Sequence, residues 1–226
     1  QSPATLTLPL TSFAAHRREA KLDLVVDDEG RAKGKGELML RGHHAWKESF
    51  PKRDVKETKA EWQKWADTSL PGFKITDIKV DDRPDESTLK VEWQMSATEE
   101  SVLGDEVTLN LARPVGPIKQ PFTVNETQRR SPVIMEHGGI EEVEIKLSWP
   151  KGWALATPPQ PIVREAGIGA YRIEATTDPV ANTLVVKRRL DIRKREPADR
   201  VEFAALRNLF TEAEKLDAQS LVLARR

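Results

Sequence analysis

The sequence contains no cysteine. This excludes disulfide bonds, thiolate nucleophiles and every zinc site built on sulfur ligands, because each of them needs a cysteine side chain. The redox compartment stays open, since proteins of any compartment can lack cysteine. Nitrogen ligands are also scarce, because the 226 residues include only four histidines: His16, His43, His44 and His137. No metal site and no cofactor is predicted.

An excess of charge and long apolar runs are absent as well. Lysine plus arginine and aspartate plus glutamate each number 36, so the formal net charge is zero and nothing draws the chain toward nucleic acid. No run reaches the roughly 18 apolar residues of a membrane span. The first residues, QSPATLTLPL, lack the basic and apolar regions of a signal peptide. We expect a soluble piece of a longer protein, because the chain starts at Gln1.

Alternation of apolar and polar side chains predicts strands along much of the chain. Turn residues at 28–30 separate the first two strands, which predicts a hairpin. In the segment from Phe73 to Val80 the apolar parity changes near Asp77, which predicts a β-bulge. The predicted strands are 21–27, 36–40, 89–97, 107–111, 143–149, 171–173 and 184–193, with a last segment at 221–223 that closes a sheet edge.

Two amphipathic segments predict helices, one near residues 54–67 and one near 199–216. Each begins with an acidic residue followed by a glutamate three positions later, at Asp54 and at Asp199. This spacing is typical of a helix N-terminus, where side-chain oxygens accept hydrogen bonds from the first backbone N–H groups.

Residues 112–121 hold three prolines and a glycine, Gly116, which interrupt any continuous helix or strand. This segment predicts a linker and a domain boundary. We therefore predict a mainly β fold of two consecutive β-sandwich-like units, each with one packed α-helix. The first unit covers residues 1–115 and the second covers residues 116–226.

Catalytic motifs are missing. Serine hydrolases place the nucleophile in a G-x-S-x-G elbow, and no such pentapeptide occurs. The HGG stretch at residues 137–139 is of a kind that supplies oxyanion-hole amides in esterases. Without the elbow, we interpret it as a glycine-rich turn before the strand at Val143. No catalytic residue is predicted.

Oxygen and nitrogen ligands for a metal do not form a convincing set. His43 and His44 are adjacent, so on a strand they point to opposite faces and cannot share one ion, although a loop beginning at Ala45 would weaken this objection. The acidic cluster at residues 81–86 is interrupted by Arg83 and lacks the glycine of a calcium loop. We interpret that cluster as a solvated turn.

Three residues are candidates for contact with a ligand or partner. Arg188 shares the apolar parity of its strand, so it lies at an edge, pairs with a buried carboxylate or faces a ligand. An unpaired buried charge is costly, which favours pairing. Of six tryptophans, only Trp46 and Trp153 fall outside the predicted core faces and are candidates for stacking on a ligand.

A series of short motifs runs in order along nearly the whole chain. They are LPLTS at 8–12, the hairpin at 22–30 with Gly34 and Gly42, RSPV at 130–133, LSWPKGW at 147–153, Pro158-Pro159, the strand at 184–189, the helix at 203–210 and the segment at 221–223. This order resembles the region that follows the catalytic core in bacterial transglutaminase-like proteins with flanking β-rich domains of unknown function.

The resemblance implies a role without catalysis. In such proteins a cysteine, a histidine and an aspartate of the core carry the acyl transfer, and the cysteine is absent here. The resemblance implies a non-catalytic accessory domain for scaffolding or binding, whose first partner is the upstream core of the same polypeptide, in the periplasm or at the cell surface. A cell-envelope protein or glycan is a further candidate partner.

Two alternatives remain. The chain can be an independent module that recognises cell-wall glycan or peptide through Trp46 or Trp153. It can also be a cryptic hydrolase, which the missing elbow and cysteine disfavour.

Overall fold

The structure is a computed structural model that describes residues 12–48, 55–98, 102–103, 105–110, 115, 138–194 and 197–226. Within these residues the fold is mainly β, which confirms the predicted class. The strands are β1 Arg17–Val26, β2 Ala32–Arg41, β3 Phe73–Arg83, β4 Thr88–Ala97, β5 Val102–Leu103, β6 Glu106–Asn110, β7 Gly139–Ser148, β8 Trp153–Thr157, β9 Ile162–Ala166, β10 Gly169–Asp178, β11 Thr183–Ile192 and β12 Ser220–Arg225. The α-helices are α1 His43–Glu48, α2 Val55–Ser69 and α3 Arg200–Asp217.

A large sheet has the strand order β3-β4-β2-β1-β7-β11-β10-β9. Its neighbours are antiparallel except at the centre, where β1 and β7 run parallel and Arg17 to Val25 pair with Ile140 to Ser148. The central pair joins the four strands that precede residue 98 to the four that follow residue 138. The sheet is therefore continuous across the two predicted units.

A small sheet has the order β5-β6-β12-β8 and also contains strands from both predicted units. The prediction that residues 221–223 close a sheet edge is wrong, because β12 pairs with β6 on one side and β8 on the other. The predicted boundary near Gly116 lies outside the described residues. Division of the chain at that point stays a prediction.

The alternation of side chains decides which face of the large sheet is buried. In β1, Ala20, Leu22, Leu24 and Val26 are buried, and the residues between them are partly or fully exposed. The buried residues of both predicted units form one hydrophobic cluster, which extends to α3 through Leu209. Burial of such aliphatic side chains contributes about 1.5–3 kcal/mol each, so this cluster is the main source of stability.

The predicted local features of the strands and helices are present. Asp77 has φ of 54° and lies where the pairing of β3 with β4 shifts between Thr76 and Lys79, which confirms the bulge. At the start of α3, Asp199 accepts a hydrogen bond from Glu202 N at 2.8 Å, and Glu202 accepts one from Ala198 N at 2.6 Å. These bonds satisfy N–H groups that a helix leaves open. Asp54 lies outside the described residues.

The opposite face of the large sheet carries cross-strand ion pairs. Lys187 Nζ lies 3.3 Å from Glu144 Oε2, and Arg189 Nη1 lies 3.2 Å from Glu142 Oε2. Each exposed pair stabilises the fold by at most about 1 kcal/mol. Opposite charges in register nevertheless favour this alignment of β7 and β11 over a shifted one.

Candidate binding site

Arg188, the charged residue at an apolar position, lies inside the protein with 0% exposure. It projects from β11 and donates two hydrogen bonds to Asp217 at the end of α3: Nε to Oδ1 at 3.0 Å and Nη2 to Oδ2 at 2.7 Å. Its Nη1 lies 3.5 Å from Glu141 Oε2. Of the three alternatives that the sequence leaves open, this geometry corresponds to pairing with a buried carboxylate.

Tyr171 completes this cluster. Its hydroxyl donates to Asp217 Oδ1 at 2.5 Å, and its ring centroid lies 5.5 Å from the guanidinium carbon of Arg188. Burial and the neighbouring charge of Asp217 raise the pKa of Tyr171 far above its usual value. Burial disfavours the charge of Arg188, but the hydrogen bonds and the charge of Asp217 outweigh it and raise the pKa of Arg188. The cluster fastens α3 to the sheet.

Trp153 is also buried, with 4% exposure. It packs on the turn of the first hairpin, where its Nε1 donates to the carbonyl of Asp28 at 3.3 Å. Gly30 has φ of 83°, and a Cβ on it would lie 2.6 Å from the Trp153 ring, so only glycine fits there. Arg225 covers the ring at 5.4 Å and donates to the same carbonyl at 2.6 Å. These contacts fasten the hairpin to the small sheet and leave no open face of the indole.

Trp46 is the candidate that lies on the surface, with 72% exposure. Its neighbours His43 and His44 lie on the six-residue helix α1, so the objection that adjacent residues of a strand point to opposite faces does not apply to them. The other tryptophans fill the core or pack against it: Trp62, Trp65, Trp93 and Trp149.

Backbone hydrogen bonds hold α1 in place. Gly42 N donates to the carbonyl of Ser87 at 2.8 Å, and the carbonyl of Gly42 accepts from Trp46 N at 3.0 Å. His43 N donates to Nδ1 of His16 at 3.0 Å. Gly42 has φ of 60°, and a Cβ on it would lie 2.5 Å from that same Nδ1. The glycine therefore permits both the turn into α1 and the close approach of His16.

A groove of about 540 Å³ lies beside α1, between the start of β1, the end of β2 and the start of β4. We call it the Trp46 groove. The ring centroids of His43 and Trp46 are 5.7 Å apart, and those of His16 and His43 are 6.2 Å apart. The groove is lined by Ala15, His16, Arg41, Gly42, His43, Trp46, Glu86, Ser87 and Thr88.

The charges in this groove balance. Arg41 is 47% exposed and its Nε lies 3.6 Å from Glu19 Oε2. Glu86 is 62% exposed and lies 3.7 Å from Nη1 of Arg83. Because one cation and one anion face the groove, neither a strongly acidic nor a strongly basic ligand is favoured.

Other chemistry finds little support in the described part of the chain. No three histidine, aspartate or glutamate residues there are placed to hold a metal ion, and no helix there is long and apolar enough to cross a membrane. His137 of the HGG stretch lies outside it. A Cβ on Gly138 would lie 2.0 Å from the Phe13 ring, and one on Gly139 would lie 2.2 Å from the carbonyl oxygen of His16. Both glycines allow close packing at the start of β7.

Trp46 is a candidate from the sequence alone, whereas the groove around it is visible only in the folded chain. The residues that build the groove come from three separate segments, around residues 16, 42 and 87. The sequence carries only a weak signal of the groove: Gly42 is followed by two histidines and a tryptophan within residues 42–46.

Comparison with known proteins gives one family. A family described as "Domain of Unknown Function with solved-structure structure (DUF3858)" matches residues 108–223. No curated protein matches the chain. A solved structure from Parabacteroides distasonis, described as that of a "putative protease", aligns over 93% of this chain and 99% of its own, with 7% identity and a TM-score of 0.36. That similarity is too low to carry a conclusion about fold or activity.

Proposed function

This chain belongs to the DUF3858 family, whose function is unknown, and on that basis we propose that it is a non-catalytic accessory domain that binds or positions a partner. The first partner is a transglutaminase-like catalytic core in the same polypeptide, and the location is the periplasm or the cell surface. The support for this context is the order of short motifs along the chain, which resembles the region after such a core.

Exposure of Trp46 on a fixed backbone is the observation that carries the binding role. A single exposed apolar side chain is common on protein surfaces and needs no explanation by itself. Trp46 differs because hydrogen bonds from Gly42 and His43 hold its helix against two other segments and place the indole beside a groove. An aromatic side chain that a fixed backbone presents beside a groove is typical of contact residues in binding surfaces.

The other two candidate contact residues, Arg188 and Trp153, are closed to a partner. Arg188 donates two hydrogen bonds to Asp217 in the core, and Trp153 is covered by Arg225. A ligand or substrate must come within hydrogen-bond reach of the group that contacts it. Arg188, Asp217 and Trp153 are buried and give no such access. The Trp46 groove is therefore the place where we expect a partner to bind.

The genomic context tests the proposal directly. The gene should encode, upstream of Gln1, a segment with a cysteine, a histidine and an aspartate in the order of a transglutaminase-like core. The present chain alone should show no acyl transfer or amide hydrolysis, whereas the full polypeptide should. Turnover by the isolated chain, or a gene without such a core, would overturn the accessory role.

Hydrogen exchange tests whether the core covers the groove. In the full polypeptide, the backbone amides of α1 should exchange more slowly than in the isolated chain, because docking would shield them. Trp46→Ala should remove this difference, and Val201→Ala on α3, a change at another exposed apolar residue, should preserve it. Identical exchange in the isolated chain and the full polypeptide would contradict docking at this groove.

A second candidate function is recognition of cell-wall glycan or peptide. The observation that favours it is the mixed lining of the Trp46 groove, where an exposed indole lies next to Arg41 and Glu86.

A further inference from the structure

We propose that the Trp46 groove binds one pyranose ring of a cell-envelope glycan, with the ring stacked on the indole of Trp46. This inference rests on the proposed function as a binding domain and adds the class of ligand. A sugar and the catalytic core would occupy the same groove, so sugar binding is tested on this chain alone and docking of the core on the full polypeptide.

The indole of Trp46 offers an exposed aromatic face. A pyranose ring presents axial C–H groups on one side, and these pack on an indole in the same way as other apolar groups do. Trp46 is 72% exposed, so most of its surface is in contact with water in the absence of a ligand. Covering it with a sugar removes that apolar surface from water without placing a charge against the ring.

Polar side chains surround the indole in the Trp46 groove. Hydroxyl groups of a sugar both donate and accept, so they require donors and acceptors around the stacked ring. The side chains of Arg41 and Glu86 are 47% and 62% exposed, so each can reach a sugar hydroxyl while it keeps its surface ion pair with Glu19 or Arg83. Ser87 adds a hydroxyl at the same turn. An amphiphilic lining with both kinds of group suits a neutral polyhydroxylated ligand.

The formal charges in the Trp46 groove cancel. Among the described residues that line it, Arg41 is the lysine or arginine and Glu86 is the aspartate or glutamate. A phosphate or a nucleic acid would require an excess of positive charge, and a basic peptide would require an excess of negative charge.

The backbone around Trp46 is already ordered without a ligand. Hydrogen bonds of Gly42 to Ser87 and Trp46, and one of His43 to His16, fix the turn into α1. Ligand binding then costs little ordering of the backbone, which raises affinity for a small ligand. A groove of about 540 Å³ accommodates a sugar ring.

The larger groove on the outer face of the large sheet is less suitable. It has a volume of about 790 Å³ but is lined mainly by lysines and carboxylates from neighbouring strands. Its tryptophan, Trp93, is 2% exposed and offers no stacking surface.

Calorimetric titration of the 226-residue chain with four probes tests the inference. The probes are tri-N-acetylglucosamine, a peptidoglycan disaccharide without peptide, the free peptidoglycan stem peptide and maltotriose. At least one of the three sugars should bind, and Trp46→Ala should weaken that binding about tenfold or more. Trp46→Phe should retain part of the affinity, because phenylalanine preserves a smaller stacking face.

Control variants separate contact from folding. Val201→Ala removes an exposed apolar side chain on α3 and should leave sugar binding unchanged. Circular dichroism should show that Trp46→Ala is folded, since its side chain is mostly exposed. Glu86→Gln should weaken binding less than Trp46→Ala, because the amide keeps one acceptor.

Three results would overturn the inference. They are no binding of any sugar at millimolar concentration, sugar binding that Trp46→Ala does not weaken, and binding of the stem peptide alone through Trp46. The first two leave the accessory role to the hydrogen-exchange experiment with the full polypeptide, and the third supports a peptide-binding domain instead. Failure of the sugar inference and failure of the proposed function are therefore distinguishable.

Discussion

Arg188 on β11 and Asp217 at the last residue of α3 form a two-point ion pair in the core, with N–O distances of 3.0 and 2.7 Å. Both residues are buried, at 0% and 2% exposure. The planar guanidinium presents two parallel N–H groups to the two carboxylate oxygens, which fixes the orientation of the helix end relative to the strand.

Removal of one partner should be strongly destabilising. We expect Asp217→Ala to reduce the free energy of unfolding by about 3–5 kcal/mol, because it leaves the charge of Arg188 buried without its main partner. Urea unfolding measures this change. Glu144→Gln, which breaks the exposed pair with Lys187, should cost less than about 1 kcal/mol and serves as the control. Equal losses of unfolding free energy in the two variants would show that the buried pair stabilises the fold no more than an exposed pair does.

Replacement of the whole pair should be milder. The double variant Arg188→Met with Asp217→Leu removes both charges and keeps apolar volume, so it should be more stable than either single variant. Additive losses in this comparison would contradict the interpretation that the single variants suffer from an uncompensated charge.

Tyr171 should make stability depend on alkaline pH. Its pKa is raised in the folded state by burial and by Asp217, whereas an unfolded tyrosine titrates at about pH 10. Above about pH 10 the unfolded chain therefore loses a proton that the folded chain keeps, and the contribution of Tyr171 to stability is lost as the pH rises. Below that pH the contribution is fully present.

The comparison with Tyr171→Phe isolates this effect, because Tyr171 is the only tyrosine of the chain. The variant loses the hydrogen bond to Asp217 and should be less stable near neutral pH. The difference from the natural protein should narrow above about pH 10. Urea unfolding from about pH 8 to about pH 11 measures it, and two parallel curves would refute the assignment.

Gly30 and Gly152 form a matched pair for the Trp153 contact. Both have positive φ, 83° and 97°, but a Cβ on Gly30 would meet the Trp153 ring at 2.6 Å, and one on Gly152 would meet nothing within 4 Å. Gly152→Ala should cost about 1–3 kcal/mol from backbone strain alone. Gly30→Ala should cost more in thermal or urea unfolding. An equal loss would indicate that the hairpin does not depend on Trp153.

The linker prediction concerns residues 112–121. A protease of broad specificity should cut first in this segment, since its three prolines and Gly116 disfavour regular structure. The two fragments should still elute together in size-exclusion chromatography, because β1 pairs with β7 and β6 pairs with β12 across the cut. Resistance of this segment to cleavage would contradict a boundary there.

Local patterns in the sequence were sufficient for several elements. The alternation in residues 89–97 and 184–193 predicts strands and their buried faces, since side chains of a strand point alternately to its two sides. The change of parity at Asp77 predicts the bulge, and Asp199 predicts the start of α3. The helix α1 was missed because six residues are too few to show a helical period.

Contacts between distant segments were decided only by the tertiary structure. The apolar position of Arg188 predicts a buried carboxylate partner. That partner, Asp217, lies 29 residues further along the sequence, and no local pattern identifies it. Trp153 follows a turn and was expected near the surface, yet the hairpin of β1 and β2 covers it. The parallel pairing of β1 with β7 likewise joins residues more than 100 positions apart.

The physical reason is the range of the forces involved. Composition, side-chain period and capping act over a few residues, so the sequence by itself determined the mainly β class, most strands, the two long helices and the absence of a cysteine-based site. Sheet order, the partner of Arg188 and the assembly of the Trp46 groove from three segments depend on which surfaces meet when the chain collapses. Only the folded chain determines those contacts, because many pairings satisfy the same local pattern.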